Sequence, residues 1–101
     1  RPGHEIYGAS KAALESLTRS LANSLAPMRV HGIRLGLVGD ESLEERWPEG
    51  VASWNSTVPA HRYANPHEVA ALALAMTTST FSFATGAIID FDGGKSASPG
   101  W

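Results

Sequence analysis

The sequence predicts an α/β fold in which helices pack on part of a parallel sheet. Three observations predict it. The elements read in the order helix, strand, loop, helix, strand. Both strand segments are almost continuously apolar, as strands covered on two faces are. The later helix lies between them, and a strand–crossover–strand unit of this kind closes right-handed with its strands parallel. Two such strands cannot form a stable sheet alone, so the fold reads as incomplete, one portion of a larger sheet.

The first helix spans Tyr7 to Ala26. Leu14, Leu17, Leu21 and Leu25 recur at spacings of three and four and form one stripe, which reads as core. Pro27 stops the helix, since it has no N–H to donate and its ring opposes continuation. A strand follows over Met28 to Leu35, with Gly32 marking a close approach by another element. From Leu37 to Tyr63 no main periodic element is visible. Within this stretch Ser42 to Trp47 fits one short helix, with Ser42 and Glu45 as a capping box. A stretch of this length (37–63) reads as a lid or substrate loop, and Trp47 and Trp54 argue that it is ordered. Asn65-Pro66-His67-Glu68 is a strong helix start, with a cap, a proline at the first helical position and a glutamate that can reach back. Val69, Leu72, Ala73 and Met76 form its apolar face, and it fades in Thr77 to Thr80. The second strand spans Ala87 to Phe91 and ends in the turn Asp92-Gly93-Gly94. Lys95 to Trp101 reads as a tail.

Composition narrows the function classes. A chain of 101 residues holds at most one small domain. With 43% hydrophobic and 18% charged residues it has an ordinary globular balance, which argues against disorder. The net charge is −2 and no basic run is present, which argues against nucleic-acid binding. The absence of cysteine excludes disulfides and thiolate chemistry and fits a cytoplasmic protein. No apolar run reaches membrane-spanning length. The opening Arg1-Pro2-Gly3-His4 lacks an initiator Met and a signal-peptide pattern, and reads as an internal start. His4, His31, His61 and His67 show no metal-ligand spacing, so no metal site is expected. Glu41, Glu44, Glu45 and Glu49 read as a solvated acidic loop. Trp47 and Trp54 fit either a substrate pocket or lid packing.

Tyr7 and Lys11 are the residues best placed for chemistry. Four residues apart at a helix start, they lie on one face, one turn apart. A free phenol is a poor base at neutral pH, but an ammonium beside it favours the phenolate. Such a phenol can give or take the proton on a carbonyl or alcohol oxygen while another group moves hydride. Spacing alone occurs by chance on many helices.

The surrounding residues add to this. Tyr7-Gly8-Ala9-Ser10-Lys11-Ala12-Ala13-Leu14 resembles the Y-x-A-S-K-A-A-L segment of the short-chain dehydrogenase/reductase family. Arg29-Val30-His31-Gly32-Ile33 resembles its R-V-N-x-I strand, and Pro66-His67-Glu68-Val69-Ala70 its P-x-E-V-A helix start. Thr85-Gly86, followed by Ala87 to Asp92, Gly93 and Gly94, resembles its last strand and D-G-G turn. The matches run in order over nearly the whole chain.

The resemblance implies the C-terminal part of a Rossmann-type, doubly wound parallel sheet, with residues 1–101 as one portion of an NAD(P)-binding domain. It implies NAD or NADP as cofactor, a small carbonyl or alcohol substrate, and a homo-oligomeric parent, dimer or tetramer. It implies Tyr7 as the catalytic acid/base and Lys11 as the residue that holds the nicotinamide ribose and assists the phenol. Ser10 matches a small structural position. The stretch Leu35-Gly36-Leu37-Val38-Gly39-Asp40 aligns with the family's P-G-x-V-x-T, which implies cofactor contacts at Gly36 and at the Val38 backbone. Leu35 stands where the family has Pro. Asp40 stands where it has Thr, and sets a carboxylate where phosphates would lie, so it either points away or marks altered cofactor binding. The family's glycine-rich turn and its active-site Ser are expected upstream of these residues. A non-catalytic interaction or oligomerisation module derived from the same fold is the alternative, since the family's matching helix commonly forms subunit contacts.

Overall fold

The computed structural model describes residues 3–97, so residues 98–101 of the tail lie outside the described part. The elements are α1 (His4–Ser24), β1 (Gly32–Leu35), α2 (Leu43–Arg46), α3 (Pro48–Thr57), α4 (Pro66–Met76) and β2 (Ile88–Phe91). Short 3-10 turns lie at Ser79–Phe81 and Lys95–Ala97. The strands form one pair. The Gly32 N–H donates to the Ala87 carbonyl at 2.9 Å and the Gly36 N–H to the Phe91 carbonyl at 3.1 Å. Register therefore advances in the same sense on both strands, which makes the pair parallel. The described residues divide into two compact units, 3–33 with 83–89 and 34–82 with 90–97.

In the first unit, α1 begins at His4, three residues before the predicted start, and Leu25 closes it with an N–H to the Leu21 carbonyl at 2.8 Å. The predicted strand start at Met28 is corrected. The Met28 N–H closes a turn onto the Leu25 carbonyl, and regular pairing begins at Gly32. The leucine stripe is corrected too. Leu14, Leu17 and Leu25 are exposed, and the buried residues of α1 are Thr18 and Ala22. The reason lies in the strands. A methyl group on Gly32 would stand 2.9 Å from Ile88 Cδ1 and 3.7 Å from the Thr18 side chain, so the contact admits only the small face of the helix. The Thr18 hydroxyl donates to the Leu14 carbonyl at 2.8 Å, so this polar group is paired where the residue is buried.

In the second unit the core is Leu43, Val51, Val58 and Met76. The expected capping box at Ser42 does not form. The Asp40 carboxylate instead accepts from the Ser42 N–H at 2.9 Å and from its hydroxyl at 2.6 Å, and Ser42 makes no side-chain cap. The stretch 37–63 holds two helices rather than one. α3 starts on Pro48, whose missing N–H costs nothing at the first helical position. The capping box of α4 forms as expected. Asn65 Oδ1 accepts from the Glu68 N–H at 3.0 Å, and Glu68 Oε1 accepts from the Asn65 N–H at 3.1 Å. The buried side of α4 is Met76 with Val69 and Leu72 half-buried, whereas Ala73, expected on that face, is exposed. The Thr77 and Thr78 hydroxyls end the helix by donating back to the Leu74 and Ala75 carbonyls, at 2.7 and 2.6 Å.

Candidate active site

Tyr7 and Lys11 both lie in the first turns of α1 in the first unit. The Lys11 Nζ stands 5.3 Å from the centroid of the Tyr7 ring. The two side chains thus share one side of the helix, at a distance where a cation is drawn to a ring face. Tyr7 is 56% exposed, so the side chain is not wedged into an apolar interior. The His4 ring packs on it at 5.2 Å between centroids. The Ser10 hydroxyl is turned away into the helix, donating to the Ile6 carbonyl at 2.9 Å.

Val38 lies in the second unit, in an isolated parallel bridge with Ala64. The Ala64 N–H donates to the Leu37 carbonyl at 3.0 Å, and the Gly39 N–H donates to the Ala64 carbonyl at 2.9 Å. In a strand the groups of successive residues alternate in direction. The flanking Leu37 and Gly39 groups point at Ala64, so the N–H and C=O of Val38 itself point the other way. Neither has a backbone partner outside regular elements among the described residues. One donor and one acceptor, side by side on a pinned backbone, match a primary carboxamide in hydrogen-bonding pattern. The Gly36 N–H is spent on Phe91, and a methyl group there would lie 2.7 Å from the Trp54 ring and 2.9 Å from Asp92 Cα. Glycine is needed here to let the strand end pass these neighbours.

Asp40 has turned into its own loop. Its hydrogen bonds with Ser42, more than the Arg46 guanidinium 3.9 Å away, hold its carboxyl below the usual range. The second tyrosine of the chain, Tyr63, lies among carboxylates. Desolvation first, then the Glu44, Asp40 and Glu41 carboxylates, push the Tyr63 phenol above its ordinary value, which unsuits it as a base.

A cavity of about 400 Å³ opens in the second unit beside Leu37, Trp54, Arg62, Ala64 and Phe91. Trp54 therefore shapes a pocket, with its indole N–H donating to the Arg62 carbonyl at 2.8 Å. Trp47 lies against Gly50, where it packs the start of α3. Sequence reasoning passed over Arg62 and Ala64. The signal for Arg62 was its place six residues before the capping Glu68. Ala64 carried none, because its contribution is entirely backbone.

The family model described as enoyl-(acyl carrier protein) reductase matches residues 1–96. The chain belongs to the short-chain dehydrogenase/reductase family. It is 40% identical over 93 residues to galactitol 2-dehydrogenase (L-tagatose-forming) of Cereibacter sphaeroides, covering 87% of this chain and 36% of that enzyme. The chain thus spans little more than a third of the length of this relative. Among solved structures it resembles a short chain dehydrogenase family protein from Francisella tularensis subsp. tularensis SCHU S4. That likeness has a TM-score of 0.81 and 28% identity, over 97% of this chain and 46% of the other. An NADPH-bound short chain oxidoreductase from Pseudomonas aeruginosa PAO1, described as containing an atypical catalytic center, aligns with a TM-score of 0.73 and 32% identity. It covers 90% of this chain and 38% of its own. These short-chain dehydrogenase structures carry the Rossmann-type architecture of which the chain forms part.

Proposed function

We propose that this chain supplies the proton-transfer residues and the nicotinamide-facing backbone of an NAD- or NADP-dependent oxidoreductase acting on a small carbonyl or alcohol. The observation that carries the proposal is the Lys11 ammonium 5.3 Å over the ring of an exposed Tyr7. In reduction the Tyr7 hydroxyl donates its proton to the carbonyl oxygen of the substrate, and in oxidation the Tyr7 phenolate takes the proton from the alcohol. The Lys11 ammonium stabilises the phenolate that remains and holds the ribose hydroxyls. Gly36 and Val38 form the cofactor-binding stretch. Gly36 lets the strand end pass Asp92, and Val38 presents its N–H and C=O to the carboxamide. The nicotinamide, when bound, would supply the hydride in reduction and accept it in oxidation. The NADPH complex of the Pseudomonas relative and the polyol named in the Cereibacter enzyme support this class of cofactor and substrate.

A second reading, an oligomerisation or interaction module, rests on a separate observation, the exposed stripe of Leu14, Leu17 and Leu25. The two readings make different demands on Lys11. With the protein that carries this chain, oxidation of NADH and NADPH is followed against a panel of small aldehydes, ketones and keto-sugars. Turnover is expected with at least one pairing, and Lys11→Met should raise the cofactor KM by about tenfold or more, the ratio set by roughly 1.4 kcal/mol. Absence of turnover across the panel with both cofactors leaves the module reading and overturns the enzymatic one.

A further inference from the structure

Glu68 is drawn on from three sides. Its two carboxylate oxygens accept from Arg62 Nη1 and Nη2, each at 2.9 Å, and Oε1 also accepts from the Asn65 N–H at 3.1 Å. Arg62 in turn donates from Nη1 to the Tyr63 carbonyl at 3.3 Å, and its own carbonyl is held by the Trp54 indole. The backbone is therefore fixed at Arg62, Tyr63 and Asn65, on both sides of Ala64. Ala64 is the residue that pins Leu37 and Gly39, and so Val38 between them. An exposed ion pair stabilises a fold very little. A bidentate fork instead fixes direction as well as distance, and here it is coupled through two peptide groups to a single bridge.

We infer that Glu68 and Arg62 are positioning residues that hold the Val38 N–H and C=O in register for a nicotinamide carboxamide. This inference rests on the cofactor reading above. It adds that recognition of the carboxamide is set from the start of α4 by side chains that touch no ligand.

Two variants test it, Glu68→Gln, which keeps the shape of the side chain, and Arg62→Lys, which keeps the charge but removes the fork. The first measurement is amide hydrogen exchange, without cofactor, of the protein that carries this chain. The Gly39 and Ala64 amides should exchange about tenfold faster in both variants, while the Gly32 amide, bonded to Ala87, stays unchanged. The second, on the protein that carries this chain, compares kcat/KM for the preferred cofactor with that for its 3-acetylpyridine analogue, which lacks the carboxamide NH2. Discrimination between the two should fall severalfold in the variants, a change that a merely structural role would not produce. Unchanged Gly39 and Ala64 amides overturn the inference, as does faster exchange with undiminished discrimination. In either case a turnover that still depends on Tyr7 leaves the enzymatic reading standing. No cofactor-dependent turnover in the unsubstituted protein overturns the reading and the inference together.

Discussion

Gly36 shows how one residue can satisfy two demands. The proposed cofactor contact would be one, and the packing is the other, since a methyl group there meets Asp92 Cα at 2.9 Å and the Trp54 ring at 2.7 Å. A side chain can rotate away, but the Asp92 backbone is held by its own turn, in which the carboxylate accepts from Gly94 N–H, Ser96 N–H and Ser96 Oγ–H. Gly36→Ala should therefore cost about 1–3 kcal/mol of stability, read as a lower urea midpoint. An unchanged midpoint would show that the turn yields. That Tyr7 and Lys11 share one side of a helix was legible in the sequence, because a four-residue helical spacing is local and needs no other part of the fold. The outcome at Asp40 was not legible. A carboxylate in that position could face a ligand or a neighbour, and only the placement of Ser42 showed that it is consumed within its own loop.

At the scale of elements, α4 could be read almost residue by residue, because Asn65, Pro66 and Glu68 fix its start by chemistry within one turn. α3 was hidden. Its inward side, buried Val51 and half-buried Trp54, has helical spacing, but Pro48 and Gly50 look like loop punctuation when read alone. The leucine stripe misled for a different reason. Periodicity says which residues share a face, not whether a neighbour covers it. The start of α4 also carries a pH dependence. Hydrogen bonds from Arg62 first, then from the Asn65 N–H, lower the Glu68 carboxyl from 4.5 to about 2. A carboxyl lowered on folding contributes stability that is fully present above its unfolded value and lost as pH falls through its folded value. The contribution of Glu68 is therefore complete above pH 4.5 and drains away towards about pH 2. Asp40 and Asp92 are lowered as well, so the difference between proteins is the informative quantity. Thermal midpoints measured across this window should fall less steeply for Glu68→Gln than for the unsubstituted chain. Parallel curves would contradict the assignment.

At the scale of the whole molecule, exposed apolar side chains set the behaviour in solution. Leu14, Leu17 and Leu25 share one stripe at 56%, 51% and 45% exposure, and contiguous apolar surface of this kind marks a contact site. The 101-residue chain should self-associate, and Leu17→Glu should shift it towards monomer in sedimentation velocity. A monomeric unsubstituted chain would contradict this. The family and its parallel strand pair were legible from four motifs in order, whereas the substrate was not, because none of those motifs contains a group that would select one. Proton transfer at Tyr7 is the claim on which the functional reading depends. The most direct measurement is steady-state turnover by Tyr7→Phe in the protein that carries this chain, with cofactor affinity measured beside it. A proton relay predicts loss of about 100-fold or more in kcat with cofactor binding nearly unchanged. Turnover close to that of the unsubstituted protein would remove Tyr7 from the mechanism.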